Sequence, residues 1–201
     1  MILIFDDAEV LDVFGPYEVF AAAGRGAAGE PPPFEVQLVA EQPGPVTLRH
    51  GLSVNPHFTL RDAPAADILV VPGGQGTRRE MHNPQLTDWI AKRAAAAELV
   101  ASVCTGALLL GRAGLLDGLL ATTHHGAISL LRETAPRAHV VERVRFVDNG
   151  RVVLSAGISA GLDMSLHLVE RLVGSSVAES TAAYLEYHWD RNEEGIADQG
   201  L

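Results

Sequence analysis

Three short runs, Met1–Phe5 (MILIF), Ile68–Val71 (ILVV) and Leu99–Val103 (LVASV), most constrain what this chain can fold into. Each is too short for a helix, and none alternates polar with apolar as a strand with one wet face would. Such runs suit strands buried on both sides, as in a parallel sheet covered by helices. The segments between them carry helix signals. GPYEVFAAAG, Gly15 to Gly24, has Pro16 near its start and a glycine stop. NPQLTDWIAKRAAAA offers Asn83 as N-cap and Pro84 at the first helical position. AISLLRETA reads as helical, LDMSLHLVERLVG places Leu162, Leu166, Val169 and Val173 on one face, and a last helix is expected from Val177 to Trp189. EVQLVA adds a strand, and two hairpins are expected, one turning near His50-Gly51 and one at Asn149-Gly150. The pattern predicts an α/β three-layer sandwich with a mainly parallel central sheet. A single domain over 1–190 and a frayed polar tail over 191–201 complete the expected organisation.

In such folds ligands sit beyond the carboxyl ends of the strands. The three runs end at Asp6-Asp7, Gly73-Gly74 and Cys104. These ends define the candidate site.

Charge and composition exclude several other functions. A net charge of −10 repels phosphate backbones and anionic lipid, and Arg78-Arg79 and Lys92-Arg93 are too sparse for a nucleic-acid footprint. The most apolar long window, GALLLGRAGLLDGLLA, is interrupted by Arg112 and Asp117, so no membrane span is expected. The N-terminus lacks a basic region before its apolar stretch and does not read as a signal peptide. One cysteine cannot form an internal disulfide, and a cytoplasmic protein is expected.

A lone cysteine is usually a small buried hydrophobe. Cys104 departs from that reading in three ways. It ends a buried strand and opens a helix, where backbone amides and the helix dipole favour the thiolate. Ser102 and Gly106 flank it at two residues' distance, so S-x-C-x-G is a thiol counterpart of the serine nucleophile elbow. VVPGGQG supplies a second strand end, where Gly73 and Gly74 allow close backbone approach, and the Thr105 and Gly74 amides are expected to cradle developing negative charge.

A thiol at work needs a proton partner. Asp12 is flanked by Leu11, Val13 and Phe14, which implies burial and a raised pKa; Glu18 is its nearest rival. His124 and His125, in ATTHHGA, are expected to line the same site. The remaining histidines show no ligand spacing, so no metal is expected. GISAG, Gly157 to Gly161, matches G-x-S-x-G, but Asp163 lies too close in sequence to serve as a separate triad acid, so Ser159 is set aside as a nucleophile. VPGGQG lacks the G-K-[ST] ending of a P-loop.

The ordered set LDVFGPYEVF, VVPGGQG, SVCTGALLLGRAGLLDG, ATTHH and SAGISAGLDMSLHLVERL resembles the ThiJ/PfpI superfamily over essentially the whole chain. Within it the pattern is most similar to isonitrile hydratases and to the ligand domains of AraC-type regulators. In the protease-like branch a histidine follows the nucleophile; here Thr105 does, so that Cys-His dyad is not expected. The resemblance implies a flavodoxin-like sandwich, a homodimer, and no metal or organic cofactor. It also implies Cys104 as nucleophile, Asp12 as the acid facing it, and Thr105 as a hydroxyl and amide partner. Two residues depart from the isonitrile hydratase pattern, Phe14 in place of a small hydroxyl residue and His125 in place of a tryptophan, and both are expected in the pocket.

The leading expectation is a cysteine-dependent hydratase of a small carbon electrophile, with an isonitrile as substrate. The alternatives are a non-catalytic small-ligand sensor and a redox or α-oxoaldehyde stress protein.

Overall fold

The computed structural model describes residues 1–25, 31–191 and the backbone of 195–197. The expected tail over 191–201 therefore lies largely outside the described residues. The first half of the chain runs β1 (Ile2–Leu3), α1 (Val10–Ala22), β2 (Leu38–Ala40), β3 (Val46–Thr47), β4 (Ser53–Val54), β5 (Phe58–Thr59), β6 (Ile68–Val71), α2 (Thr77–Glu80) and α3 (Pro84–Ala96). The second half runs β7 (Leu99–Ser102), α4 (Gly106–Arg112), β8 (Leu120–Ala121), α5 (Ile128–Thr134), β9 (His139–Val140), β10 (Phe146–Asp148) and β11 (Val152–Ser155). It closes with α6 (Ala160–Val173), α7 (Ser175–Tyr184) and β12 (Gly195–Ala197).

The main sheet has the order β12-β10-β11-β7-β6-β1-β2-β5, and every neighbouring pair is parallel except β10 with β11. Helices α1, α6 and α7 pack together, as do α3, α4 and α5, and the two groups flank the sheet. The three apolar runs form its centre. Ile2, Leu3, Ile4, Leu69, Val70, Val71, Leu99, Val100 and Ala101 are all buried, as continuous apolar sequence requires when both faces are covered.

Local signals account for most boundaries. Asn83 caps α3 by accepting from the Leu86 N–H, with Pro84 behind it. The two hairpins form where expected: Val46 pairs with Val54 across a turn in which His50 and Gly51 both have positive φ, and Val147 pairs with Leu154.

Two helices differ from the sequence reading. α1 begins at Val10, five residues before Gly15, so Pro16 sits inside it. Proline has no N–H, and the bond it omits is the one the Asp12 carbonyl would have accepted. α7 ends at Tyr184, short of Trp189. Glu186 takes a left-handed φ of 49° and the Tyr187 N–H closes back on the Ala182 carbonyl at 3.0 Å, a Schellman-type stop. The Tyr187 hydroxyl then donates to Asp163 Oδ1 at 2.9 Å, which draws the chain off the helix axis. Among the described residues no helix is long and apolar enough to cross a membrane.

Candidate active site

Cys104 stands between β7 and α4 with a φ of 56°, a conformation that strains a residue with a Cβ. Neighbouring elements hold it there. Its N–H donates to the Ala156 carbonyl at 3.0 Å and the Ser155 carbonyl at 3.2 Å, at the end of β11. The Thr123 hydroxyl donates to its carbonyl at 2.8 Å. Gly106 is required on packing grounds, because a Cβ there would run into the Val71 carbonyl of β6. The strained turn is thus maintained by three strand ends rather than by its own sequence.

Asp12 lies in the first turn of α1 and is fully buried. Its Oδ2 accepts from the Gly73 N–H at 3.0 Å, while Oδ1 is buried without a partner of good hydrogen-bond geometry. Burial, with a smaller contribution from Glu9, pushes the carboxyl up to about 7 against the opposing Gly73 and Cys104 hydrogen bonds. That shift corresponds to about 4 kcal/mol against ionisation, more than the ~1 kcal/mol a helix N-terminus supplies in the other direction. Glu18, the rival acid, is exposed on the outer side of α1.

The thiol departs from expectation. Burial first, and then the facing Asp12 carboxylate, push Cys104 up to about 12. The Thr105 and Ile158 amides donate to the sulfur and favour the thiolate, but they do not overcome the loss of water around a side chain 5% exposed. The resting sulfur is therefore a neutral thiol, not the thiolate that the helix start implied.

The two glycine amides also differ from the expected cradle. The Gly73 N–H is committed to Asp12, and the Gly74 N–H donates to Thr105 Oγ1 at 2.9 Å. Thr105 Oγ1 donates in turn to the Gly74 carbonyl at 3.1 Å, and the Thr77 hydroxyl stands 3.1 Å from it. Gly73 has no room for a side chain: a Cβ would lie 2.8 Å from Asp12 Oδ2 and closer still to the Thr105 amide. Gly73 and Gly74 thus brace the acid and the threonine rather than presenting open amides. The amides aimed at the sulfur are those of Thr105 and Ile158.

His124 packs its ring against Gly157 and accepts from the Gly126 N–H through Nδ1 at 3.1 Å. Burial, then His125 and Arg78, hold it below the usual histidine range, so it is neutral at pH 7. His125 is exposed and stacks on His124 at 4.2 Å. Both line a cavity of about 500 Å³ behind the elbow, with Thr123, Arg143 and Ile158. Phe14 is half-buried and packs against Tyr17, with ring centroids 6.1 Å apart.

Sequence reading overlooked Ile158, Thr123 and Thr77. Ile158 was within reach, since it occupies the x of the GISAG motif: its φ of 50° aims an amide at sulfur. The serine of that motif contacts Arg145, and Asp163 is held by Arg145 and Tyr187, so no triad forms there. Asp6 accepts from the Thr47 N–H at 2.8 Å and Asp7 lies 3.6 Å from Arg79, which fixes both in the loop scaffold. Among the described residues no group of three or more His, Cys, Asp or Glu could hold a metal ion.

A cysteine on a strand-to-helix elbow, faced by a buried carboxyl from the first helix of a mainly parallel sheet, defines a class of thiol-centred α/β sandwiches. This chain belongs to the DJ-1/PfpI family, whose sequence profile matches residues 1–171. It is 40% identical over 185 residues to an isonitrile hydratase of Pseudomonas putida, covering 92% of this chain and 76% of that protein. It is 33% identical over 144 residues to the HTH-type transcriptional regulator GbdR of Pseudomonas aeruginosa, covering 72% of this chain but 39% of the regulator. The fold superposes on the crystal structure of a ThiJ/PfpI family protein from Pseudomonas syringae with a TM-score of 0.83 and 32% identity, over 95% of this chain and 75% of that one.

Proposed function

We propose that the chain is a cysteine-dependent hydratase that converts a small isonitrile to an N-substituted formamide. The observation that carries the reading is the buried Asp12 carboxyl, held by the Gly73 N–H, facing the Cys104 thiol and poised near neutrality. The 40% identity to an isonitrile hydratase supports the substrate class.

A neutral thiol requires a base, and Asp12 as carboxylate is the base at hand. The thiol proton passes to Asp12 as sulfur bonds to the terminal isonitrile carbon, and the acid returns that proton to the same carbon, leaving a thioformimidate. The carboxylate then takes a proton from water as its oxygen adds to the carbon, and nitrogen is protonated. Collapse breaks the carbon–sulfur bond, releases the formamide and restores the thiol. The Thr105 and Ile158 amides stabilise negative charge on sulfur as it enters and leaves.

Replacing Cys104 by Ala or Asp12 by Asn should lower kcat/KM for an isonitrile panel by about a thousandfold or more, with folding retained. In the native chain kcat/KM should rise with pH up to about 7 and then level, as required of a base with the Asp12 pKa. Turnover that survives either substitution removes the proposal.

The working form is read as a homodimer. Leu11 and Ile158, both 37% exposed, are large apolar side chains beside Asp12 and Cys104 that a second copy would cover. The likeness to GbdR supports a second reading, a ligand sensor in which Cys104 does no chemistry. Under it, no isonitrile is hydrated and a small ligand raises the melting temperature equally in the native chain and in Cys104→Ala.

A further inference from the structure

The helix that follows Gly73-Gly74, α2, also carries a cation with no carboxylate partner among the described residues. Arg78 is half-buried in α2, and its Nη1 donates to the Gly74 carbonyl at 3.2 Å and stands 3.3 Å from Thr77 Oγ1. That carbonyl is the one that accepts from Thr105 Oγ1, so two hydrogen bonds through it link the guanidinium to the residue that follows the thiol. Arg79, its neighbour, has carboxylate partners in Glu80 at 2.7 Å and Asp7 at 3.6 Å. Among the described residues Arg78 has none, in a chain where 25 acidic residues outnumber 15 basic ones.

The groups around the site do not cancel this charge. Glu9 is the nearest surface acid, and it is occupied by Arg49 at 3.2 Å and His50 at 3.8 Å. Asp12 holds a proton over the acidic half of its range, and His124 is neutral at pH 7. With Glu9 paired to Arg49, Arg78 is left as one positive charge that reaches His124, and Asp12 offsets it only as it ionises above about pH 7. A guanidinium that is half-buried, pinned through one nitrogen and without a carboxylate partner among the described residues retains donors in fork geometry for a planar anion.

We propose that Arg78 is the specificity-determining residue of the Cys104 site, and that the ligand carries a carboxylate next to the group that meets the sulfur. The proposal deepens the hydratase reading, which would then act on isonitriles bearing an acid group. It rests on Cys104 as the reacting atom.

Alkylation of Cys104 tests the recognition without requiring hydratase activity. Iodoacetate and iodoacetamide have similar size and differ in charge. In each the sulfur–carbon bond forms as the carbon–iodine bond breaks, iodide leaves, and the thiol proton passes to Asp12 or water. Intact-mass labelling should show the ratio of iodoacetate to iodoacetamide rates falling about two- to fivefold from the native chain to Arg78→Gln, the effect of one partly exposed charge pair. Arg78→Lys should keep part of that preference. In the native chain, raising salt from 20 mM to about 1 M should slow iodoacetate and leave iodoacetamide unchanged, a check that needs no variant. An unchanged ratio in Arg78→Gln, no salt effect, or no labelling by either reagent overturns the proposal. A parallel comparison of isocyanoacetate with its methyl ester separates the two claims. Charge-selective labelling with hydration of neither compound ends the hydratase reading and leaves Arg78 as the anion-recognising group.

Discussion

The Asp12–Cys104 pair is a case of burial outweighing local helix electrostatics. Both groups sit at helix starts, where dipole and amides favour the anion, yet both are held in their neutral direction. Two predictions follow at this scale. The Asp12 carboxyl is raised from 3.8 to about 7, so it stabilises the folded chain fully below about pH 4, and that contribution is lost as pH rises through 7. Asp12→Asn keeps an acceptor for the Gly73 N–H and should be more stable than the native chain at pH 8 by about 2–4 kcal/mol, the gap closing toward pH 4. Urea unfolding at pH 8 and pH 4.5 measures this, and an equal gap at both contradicts it. For Cys104, iodoacetamide labelling should keep accelerating with pH through 10, as a thiol pushed up to about 12 requires. A plateau near pH 7 would mean a thiolate already formed at rest. The identities of the pair were legible from sequence because small residues around Cys104 and apolar flanks around Asp12 are local features. The protonation state of the sulfur was not, because it depends on how much water the rest of the fold removes.

At the scale of elements, the elbow depends on close approach between β6 and α4. Gly106→Ala should destabilise the chain by about 1–3 kcal/mol or more, since a Cβ there meets backbone that cannot swing aside. Its urea midpoint should fall together with Cys104 labelling selectivity, because the same displacement moves the turn. Asn83→Ala should cost about 1–2 kcal/mol through loss of the α3 cap, with the site unaffected; Asn83 also donates to Glu41 at 2.7 Å and Glu80 at 3.0 Å. Helix and strand positions were readable wherever a local signal marks them, as at Asn83-Pro84 and Asn149-Gly150. They were misread at Pro16, taken as a start, and at α7, where Tyr187 leaves the helix to reach Asp163. Those boundaries are decided by partners distant in sequence.

For the whole molecule, the exposed Leu11 and Ile158 lead to an expected solution mass of twice the 21.3 kDa of one chain. Sedimentation equilibrium tests this, and Ile158→Asp should shift the species toward the single chain. A native protein that sediments as one chain at micromolar concentration rules out the dimer.

The amino-acid sequence alone determined the layered α/β architecture and the strand ends at which chemistry could occur, and it offered Cys104 and Asp12 as candidates there. Each of these follows from hydrophobic runs, small residues and turn formers that act over a few positions. The tertiary structure decided that the thiol rests neutral, that Gly73 and Gly74 brace rather than receive, and that Ile158 supplies an amide to the sulfur. Desolvation and hydrogen-bond pairing are properties of the assembled surroundings, and residues separated by tens of positions become neighbours only when the sheet closes around them.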